Sequence, residues 1–316
     1  RMEHLLAERA RLATSSAIRD LLRLTNAPHV LSMAGGLPAP ELFPVDELRA
    51  ITDAVLADAT SAHEALQYGP TEGGDELRAV IASRAAGAGT GRRDVLVTTG
   101  SQQGLDLLAR VLVDREDVVV VESPSYLGAL QALRGSVPNV VSVPGDHEGL
   151  DTAHLEALLR RGMRPKLCYV VPNFSNPAGA TMSLERRVHL ASLADRYGFV
   201  VVEDDPYGEL RFRGDPLAPI ATFGEHIVTL GSTSKILAPG LRVGWVRSPA
   251  VVHAALVRAK QATDLHTSSL SQVMPPNCTR RKGRSRWLRG RAMKFSPRAQ
   301  VSGSDDMIEP LRMYQG

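Results

Sequence analysis

Cysteine is nearly absent from this chain: Cys168 and Cys278 are the only two in 316 residues. Two are too few for a disulfide framework, and neither stands at the spacing of a metal site, so the small cross-linked and metal-folded classes are excluded. Aromatic residues amount to 4% against 43% hydrophobic overall, which leaves the core to Ala, Val and Leu, as in a soluble α/β protein. No apolar run approaches the ~20 residues that cross a bilayer. The opening Arg1-Met2-Glu3-His4 leads into a charged stretch rather than the apolar centre of a secretory signal. The cytoplasm is the expected location, with no membrane partner. A strong net charge is also lacking, at +3, but the distribution is uneven. Residues 273–316 hold ten Lys/Arg and three Asp/Glu, whereas the rest hold 27 basic and 31 acidic side chains. The body is mildly acidic, and the basicity sits in the last segment.

What is present is alternation. Continuous apolar runs at 95–99, 117–122, 140–143, 167–171, 199–203 and 227–231 read as strands. Helical patterns at 101–113, 126–134, from 153 onward and at 184–197 separate most of them. Strands that are apolar throughout are buried on both faces, so the pattern predicts a three-layer α/β/α fold around a mainly parallel sheet. In such sheets ligands collect beyond the carboxyl ends of the strands. Upstream, residues 4–24 read as one or two amphipathic helices, and Gly/Pro-rich loops stand at 32–38 and 67–74. After Gln272 neither helical nor strand periodicity persists.

Polar residues gather where the apolar runs end. Lys235 follows one of them in Gly231-Ser232-Thr233-Ser234-Lys235, and Arg242 comes seven residues later between Gly240 and Gly244. Each alone reads as a solvated lysine or a surface ion pair; together they suit one pocket with an amine and a phosphate clamp. Asp204 ends a strongly apolar run, where a carboxylate faces a half-buried cleft; a helix N-cap is the alternative, and Asp205 competes for the role. Asn176, in Asn-Pro-Ala-Gly, makes a turn with or without chemistry. Gly100-Ser101-Gln102 joins a strand to a helix whose N–H groups suit a phosphate. Tyr126 and Tyr207 can serve a flat ring or simply pack. An amine for an aldehyde, a carboxylate for a ring nitrogen, donors for a ring oxygen and a cation for a phosphate are together what pyridoxal phosphate requires.

Further segments add to these: Ala17-Ile18-Arg19-Asp20-Leu21-Leu22, the stretch from Ala34-Gly35-Gly36-Leu37-Pro38 to Pro44, Gln67-Tyr68-Gly69-Pro70-Thr71-Glu72-Gly73, Thr98-Thr99-Gly100-Ser101-Gln102-Gln103 and Ala262-Thr263-Asp264-Leu265-His266-Thr267. With them the chain resembles the fold-type I, class I/II aminotransferases that depend on pyridoxal phosphate. It is most similar to the subgroup acting on 2-aminoadipate, aromatic and branched-chain amino acids, over roughly residues 15–272. The resemblance implies transamination of an L-amino acid with a 2-oxo acid. It makes Lys235 the residue bonded to the cofactor and the proton carrier in catalysis, and Asp204 the partner of the ring nitrogen. It gives Tyr207 and Asn176 to the ring oxygen, Tyr126 to the ring face, and Ser101, Gln102, Ser232 and Arg242 to the phosphate. Tyr68 is implied to reach the phosphate of a neighbouring subunit, hence a homodimer with shared sites. Arg19, Gly36 and Asn176 are implied to contact substrate.

The resemblance also implies a division into an N-terminal arm and small-domain segment over 1–45 and a cofactor-binding large domain over 46–272. Members of the family normally continue further, completing the small domain and supplying an arginine for the substrate α-carboxylate. Residues 273–316 match no such pattern and read as a basic, irregular tail, an aberrant carboxyl end on an incomplete small domain. A nucleic-acid-binding tail is the less favoured reading. Impaired transamination is the expectation, with two alternatives. One is an inactive fragment. The other is the non-enzymatic effector domain of a transcriptional regulator, which a match beginning near residue 15 disfavours.

Overall fold

Eight strands make one sheet in the computed structural model, which describes residues 2–7, 37–84, 95–134 and 139–282. They are β1 (Val95–Thr98), β2 (Val118–Ser123), β3 (Asn139–Asp146), β4 (Gly149–Leu150), β5 (Pro165–Val170), β6 (Val200–Asp204), β7 (Ile227–Ser232) and β8 (Gly244–Arg247). Their order across the sheet is β1-β8-β7-β6-β5-β2-β3-β4. The pairings β2–β3, β2–β5, β5–β6 and β6–β7 are parallel, while β8 runs antiparallel to both β1 and β7, and β4 antiparallel to β3. The short strand β8, which the apolar-run pattern did not predict, lies between β1 and β7 and so separates their carboxyl ends by one strand width.

The helices are α1 (Val45–Ala57), α2 (Ala59–Leu66), α3 (Asp75–Arg84), α4 (Ser101–Leu112), α5 (Leu127–Arg134), α6 (Thr152–Arg160), α7 (Leu184–Tyr197), α8 (Ala250–Asp264), α9 (Ser269–Gln272) and α10 (Met274–Lys282). Successive strand residues point to opposite faces, and both faces are covered. Val119, Val121, Leu167, Tyr169, Val202, Val228 and Leu230 join one core with Leu105 and Leu108 of α4, Leu133 of α5 and Leu256 of α8. Val120, Cys168, Val170, Val201 and Ile227 join the other with Leu155 and Leu159 of α6 and Leu190 and Leu193 of α7. This is why the strands read as unbroken apolar runs, and it gives the expected three layers. Helix α7 keeps its predicted bounds because both ends are specified. The Ser183 side chain accepts from the Arg186 N–H, and Gly198 closes the helix in the left-handed region at φ 72°.

One expectation is corrected. Residues 274–282 are helical rather than irregular, and Met274, Pro275 and Pro276 are buried. Two prolines suggested a break, yet they occupy the second and third helical positions, where backbone N–H groups have no intrahelical partner to lose. The remainder of the basic segment and most of the amphipathic stretch at 4–24 lie outside the described residues, within which Glu3–Leu5 form a single 3₁₀ turn.

Candidate active site

Parallel strands deliver their carboxyl ends to one edge, and most of the predicted residues stand there. Asp204 ends β6, opposite Leu230 of β7; Ser232 ends β7, opposite Gly244 of β8; and Gly244 also pairs with Thr98, the last residue of β1. Two ladder registers thus bring the Lys235 loop, the Arg242 loop and the Gly100–Ser101 turn together. Gly100 sits at φ 80° and ψ 162°, a conformation that favours glycine. A Cβ there would also run into the Arg242 guanidinium, which donates to the Thr99 carbonyl at 3.2 Å. Arg242 itself is held in the left-handed region at φ 53°. The guanidinium therefore lies against the N-terminus of α4, whose first N–H groups have no side-chain cap. A cation beside open helical N–H groups is an anion seat.

Asp204 is the most informative group. The Tyr169 hydroxyl donates to its Oδ2 at 2.8 Å, while its buried Oδ1 has no hydrogen-bond partner among the described residues. Burial pushes this carboxyl up to about 7, against the Tyr169 hydrogen bond, which works the other way. A buried oxygen left open is costly unless something polar meets it. A protonated ring nitrogen has the required donor and charge. Asp205 is different: it accepts from the Gly208 N–H at 2.8 Å and bonds Asn173, which closes the turn after β6.

The Lys235 Nζ lies 6.0 Å from the centre of the Tyr207 ring. Burial lowers the pKa of this amine. Burial raises that of the Tyr207 phenol, opposed by a hydrogen bond to Asn176. Tyr126 shares the neighbourhood: after burial, the charge of Asp204 is the main influence raising its phenol pKa, with Arg242 opposing. Ser232 Oγ donates to Ser234 Oγ at 2.7 Å and accepts from the Ser234 N–H at 3.0 Å, so it is oriented from within its own loop.

The remaining predicted residues stand as follows. The Gln102 side chain donates to the Gly128 carbonyl at 2.7 Å, which ties its amide to α5. Tyr68 stands 77% exposed, edge-on to His266. It borders a groove of about 1210 Å³ that Leu66, Gln272 and Pro276 also line. Arg19 and Gly36 fall outside the described residues. Conversely, Tyr169 went unnoticed in Leu-Cys-Tyr-Val-Val. A tyrosine at alternate spacing in a doubly covered strand must find a partner for its hydroxyl, and that was the available signal.

The geometry is that of an anion seat beside a half-satisfied buried carboxylate, at the strand ends of a three-layer fold. The sequence pattern of the family described as aminotransferase class I and II matches residues 42–280. The aromatic-amino-acid aminotransferase 1 of Thermococcus litoralis is 43% identical over 281 residues, 86% of this chain and 67% of that protein. The 2-aminoadipate transaminase of Thermus thermophilus is 43% identical over 265 residues, 82% of this chain and 65% of that protein. The crystal structure of an alpha-aminoadipate aminotransferase from Thermus thermophilus, complexed with N-(5'-phosphopyridoxyl)-L-leucine, superposes with a TM-score of 0.86 at 38% identity, covering 95% of this chain and 75% of that one. The chain thus spans about two thirds of the length of these curated relatives. It belongs to the class I and II aminotransferases, whose cofactor is pyridoxal phosphate. The family match runs through most of α10, eight residues beyond the end expected from the sequence.

Proposed function

We propose that this chain transaminates an L-amino acid of aromatic, 2-aminoadipate or branched-chain type with a 2-oxo acid. The open, buried Oδ1 of Asp204 carries the reading. It is a site for a cationic ring nitrogen, with an amine and an anion seat close by. Bound pyridoxal phosphate supplies the carbonyl that takes up the amino group and a ring that accepts the electron pair released at Cα.

Lys235 would hold the cofactor through its amine and, once free, would move a proton at the substrate Cα. Its lowered pKa increases the share that can accept a proton near neutrality. Asp204 holds the ring nitrogen protonated, with Tyr169 fixing the carboxylate plane. Tyr207 and Asn176 donate to the ring oxygen, and their mutual hydrogen bond sets both. Tyr126 covers the ring. Arg242, Ser101, Ser232 and the backbone N–H of Gln102 bind the phosphate. Asn176, with Arg19 and Gly36, receives the substrate.

The exposed Tyr68 and Leu66 beside their groove favour a homodimer in which Tyr68 completes the partner's phosphate site. A cytoplasmic location accords with the amino-acid chemistry, and no described helix is long and apolar enough to cross a membrane. The deciding experiment is borohydride reduction of protein loaded with pyridoxal phosphate, followed by peptide mapping. The phosphopyridoxyl group is expected on Lys235. Finding it on Lys166 or Lys260 overturns the assignment.

A further inference from the structure

Behind the anion seat lies a charged group that the reaction does not use. Lys260 of α8 is completely buried. Its Nζ donates to Asp264 at 2.8 and 3.0 Å and to Gln103 Oε1 at 2.9 Å. Gln103 Nε2 donates to Asp264 Oδ2 at 2.6 Å, and Gln103 Oε1 accepts from the Thr99 N–H at 2.8 Å. The Thr99 hydroxyl donates to Asp264 Oδ2 at 3.0 Å and lies 3.3 Å from the Thr267 hydroxyl. The network therefore grips Thr99 by both its N–H and its hydroxyl. The third polar group of Thr99, its carbonyl, accepts from Arg242.

A solvent-facing ion pair contributes little, whereas burying a lysine is expensive unless its charge is matched and its donors are used. Here a hydrophobic pair would fill the same space without fixing Thr99. We propose that Lys260, Asp264 and Gln103 are positioning residues that lock the Thr99–Ser101 turn, and through the Thr99 carbonyl the Arg242 guanidinium, in the geometry that receives the cofactor phosphate. The proposal rests on the reading of Arg242 and the α4 N-terminus as the phosphate seat. Gly100, between Thr99 and the helix, has no side chain to hold the turn by packing. The turn is held instead from α8.

The test titrates apo-protein with pyridoxal phosphate and, separately, with pyridoxal, which lacks the phosphate. Asp264→Asn, Gln103→Met and Thr99→Val are made singly and combined with Arg242→Ala. Asp264→Asn leaves Lys260 charged and buried and can fail to fold. Gln103→Met and Thr99→Val keep the ion pair and then decide alone. Each single variant is expected to weaken pyridoxal phosphate about tenfold and pyridoxal less than about twofold. On the Arg242→Ala background the further loss should shrink to less than about threefold, because residues acting through one group are not additive. Equal losses for both ligands, undiminished loss beside Arg242→Ala, or unchanged phosphate-ester affinity in Gln103→Met and Thr99→Val would each overturn the network's role. Unchanged affinity in Arg242→Ala alone would instead remove the seat, and the proposal with it.

Discussion

Replacing Asp204 by asparagine separates the two adjacent carboxylates by a measurable amount. In Asp204→Asn the carboxamide oxygen can keep the 2.8 Å hydrogen bond from Tyr169, so the strand end stays in place. What disappears is the negative charge and the acceptor at the position of Oδ1. A hydrogen bond to a charged group contributes about 1.5–3 kcal/mol, so cofactor affinity should fall about 10- to 150-fold. The catalytic loss should be larger, because an unprotonated ring accepts the electron pair from Cα poorly. Stability should not suffer, since the variant buries no charge where burial already pushes the carboxyl up to about 7.

Asp205→Asn should behave in the opposite way. Its carboxylate accepts the Gly208 N–H at 2.8 Å and serves the turn, so the substitution should cost about 0.5–2 kcal/mol of stability, as for a lost cap, with little change in cofactor binding. The assay is fluorescence titration of each apo-variant with pyridoxal phosphate, followed by single-turnover mixing with L-glutamate or L-leucine. Wild-type affinity and turnover in Asp204→Asn alongside their loss in Asp205→Asn would refute the argument from the open oxygen.

Other outcomes follow from the same geometry. Lys235→Ala should abolish transamination but retain weaker, non-covalent cofactor binding, detected as protein-bound pyridoxal phosphate that borohydride no longer fixes. Gly100→Ala should destabilise the fold by about 1–3 kcal/mol through backbone strain at φ 80°, and should weaken the cofactor further by displacing Arg242. Denaturant melts and the titration measure these two effects separately. Burial raises the Glu203 carboxyl to about 7 despite hydrogen bonds from the Ile220 and Ala221 N–H groups. The folded state therefore holds that proton more tightly than the unfolded chain. The resulting stability is fully present below about pH 4.5 and is lost as pH rises to about 7. Glu203→Gln should flatten the stability profile across that window, and an unaltered slope would contradict the assignment.

The parts of the fold legible in the sequence were those governed by local pattern with two-sided burial. Six apolar runs became strands, five of them buried by cover on both faces of the sheet, and α7 was bounded correctly because Ser183 and Gly198 cap it. Strand β8 escaped because four residues carry no decisive period and its pairing with β1 and β7 is non-local. Helix α10 escaped because proline usually breaks a helix, and position within the first turn cannot be told before the start is known. At the site, the strand-end placement of Ser101, Asp204, Ser232 and Lys235 was legible from the rule that polar residues follow buried runs. The rotation of Gln102 toward Gly128 was not, nor, apart from the resemblance, was the choice between Asp204 and Asp205. Both depend on which acceptor or donor lies nearby in space, and a residue's chemical type does not encode that.

Three buried carboxyls show where chemistry departs from structure. Glu122, Glu203 and Asp204 all lie in the sheet or at its ends, and burial raises each to about 7. Glu122 accepts from the Val171 N–H at 3.0 Å, joining β2 to the end of β5. Glu203 accepts two N–H groups from the turn at Ile220, which ties β6 to the segment leading into β7. Each thus adds a side-chain link beside the backbone ladder of two neighbouring strands. Asp204 alone of the three presents a buried oxygen without a partner among the described residues. A sequence selected only for folding would remove so unfavourable a group, since an alanine or valine in its place would satisfy the core. That the strand ends in an aspartate which the protein itself leaves half-satisfied is best explained by a ligand that satisfies it. The same local inconsistency that weakens the apoprotein is then what makes cofactor binding stabilise the fold.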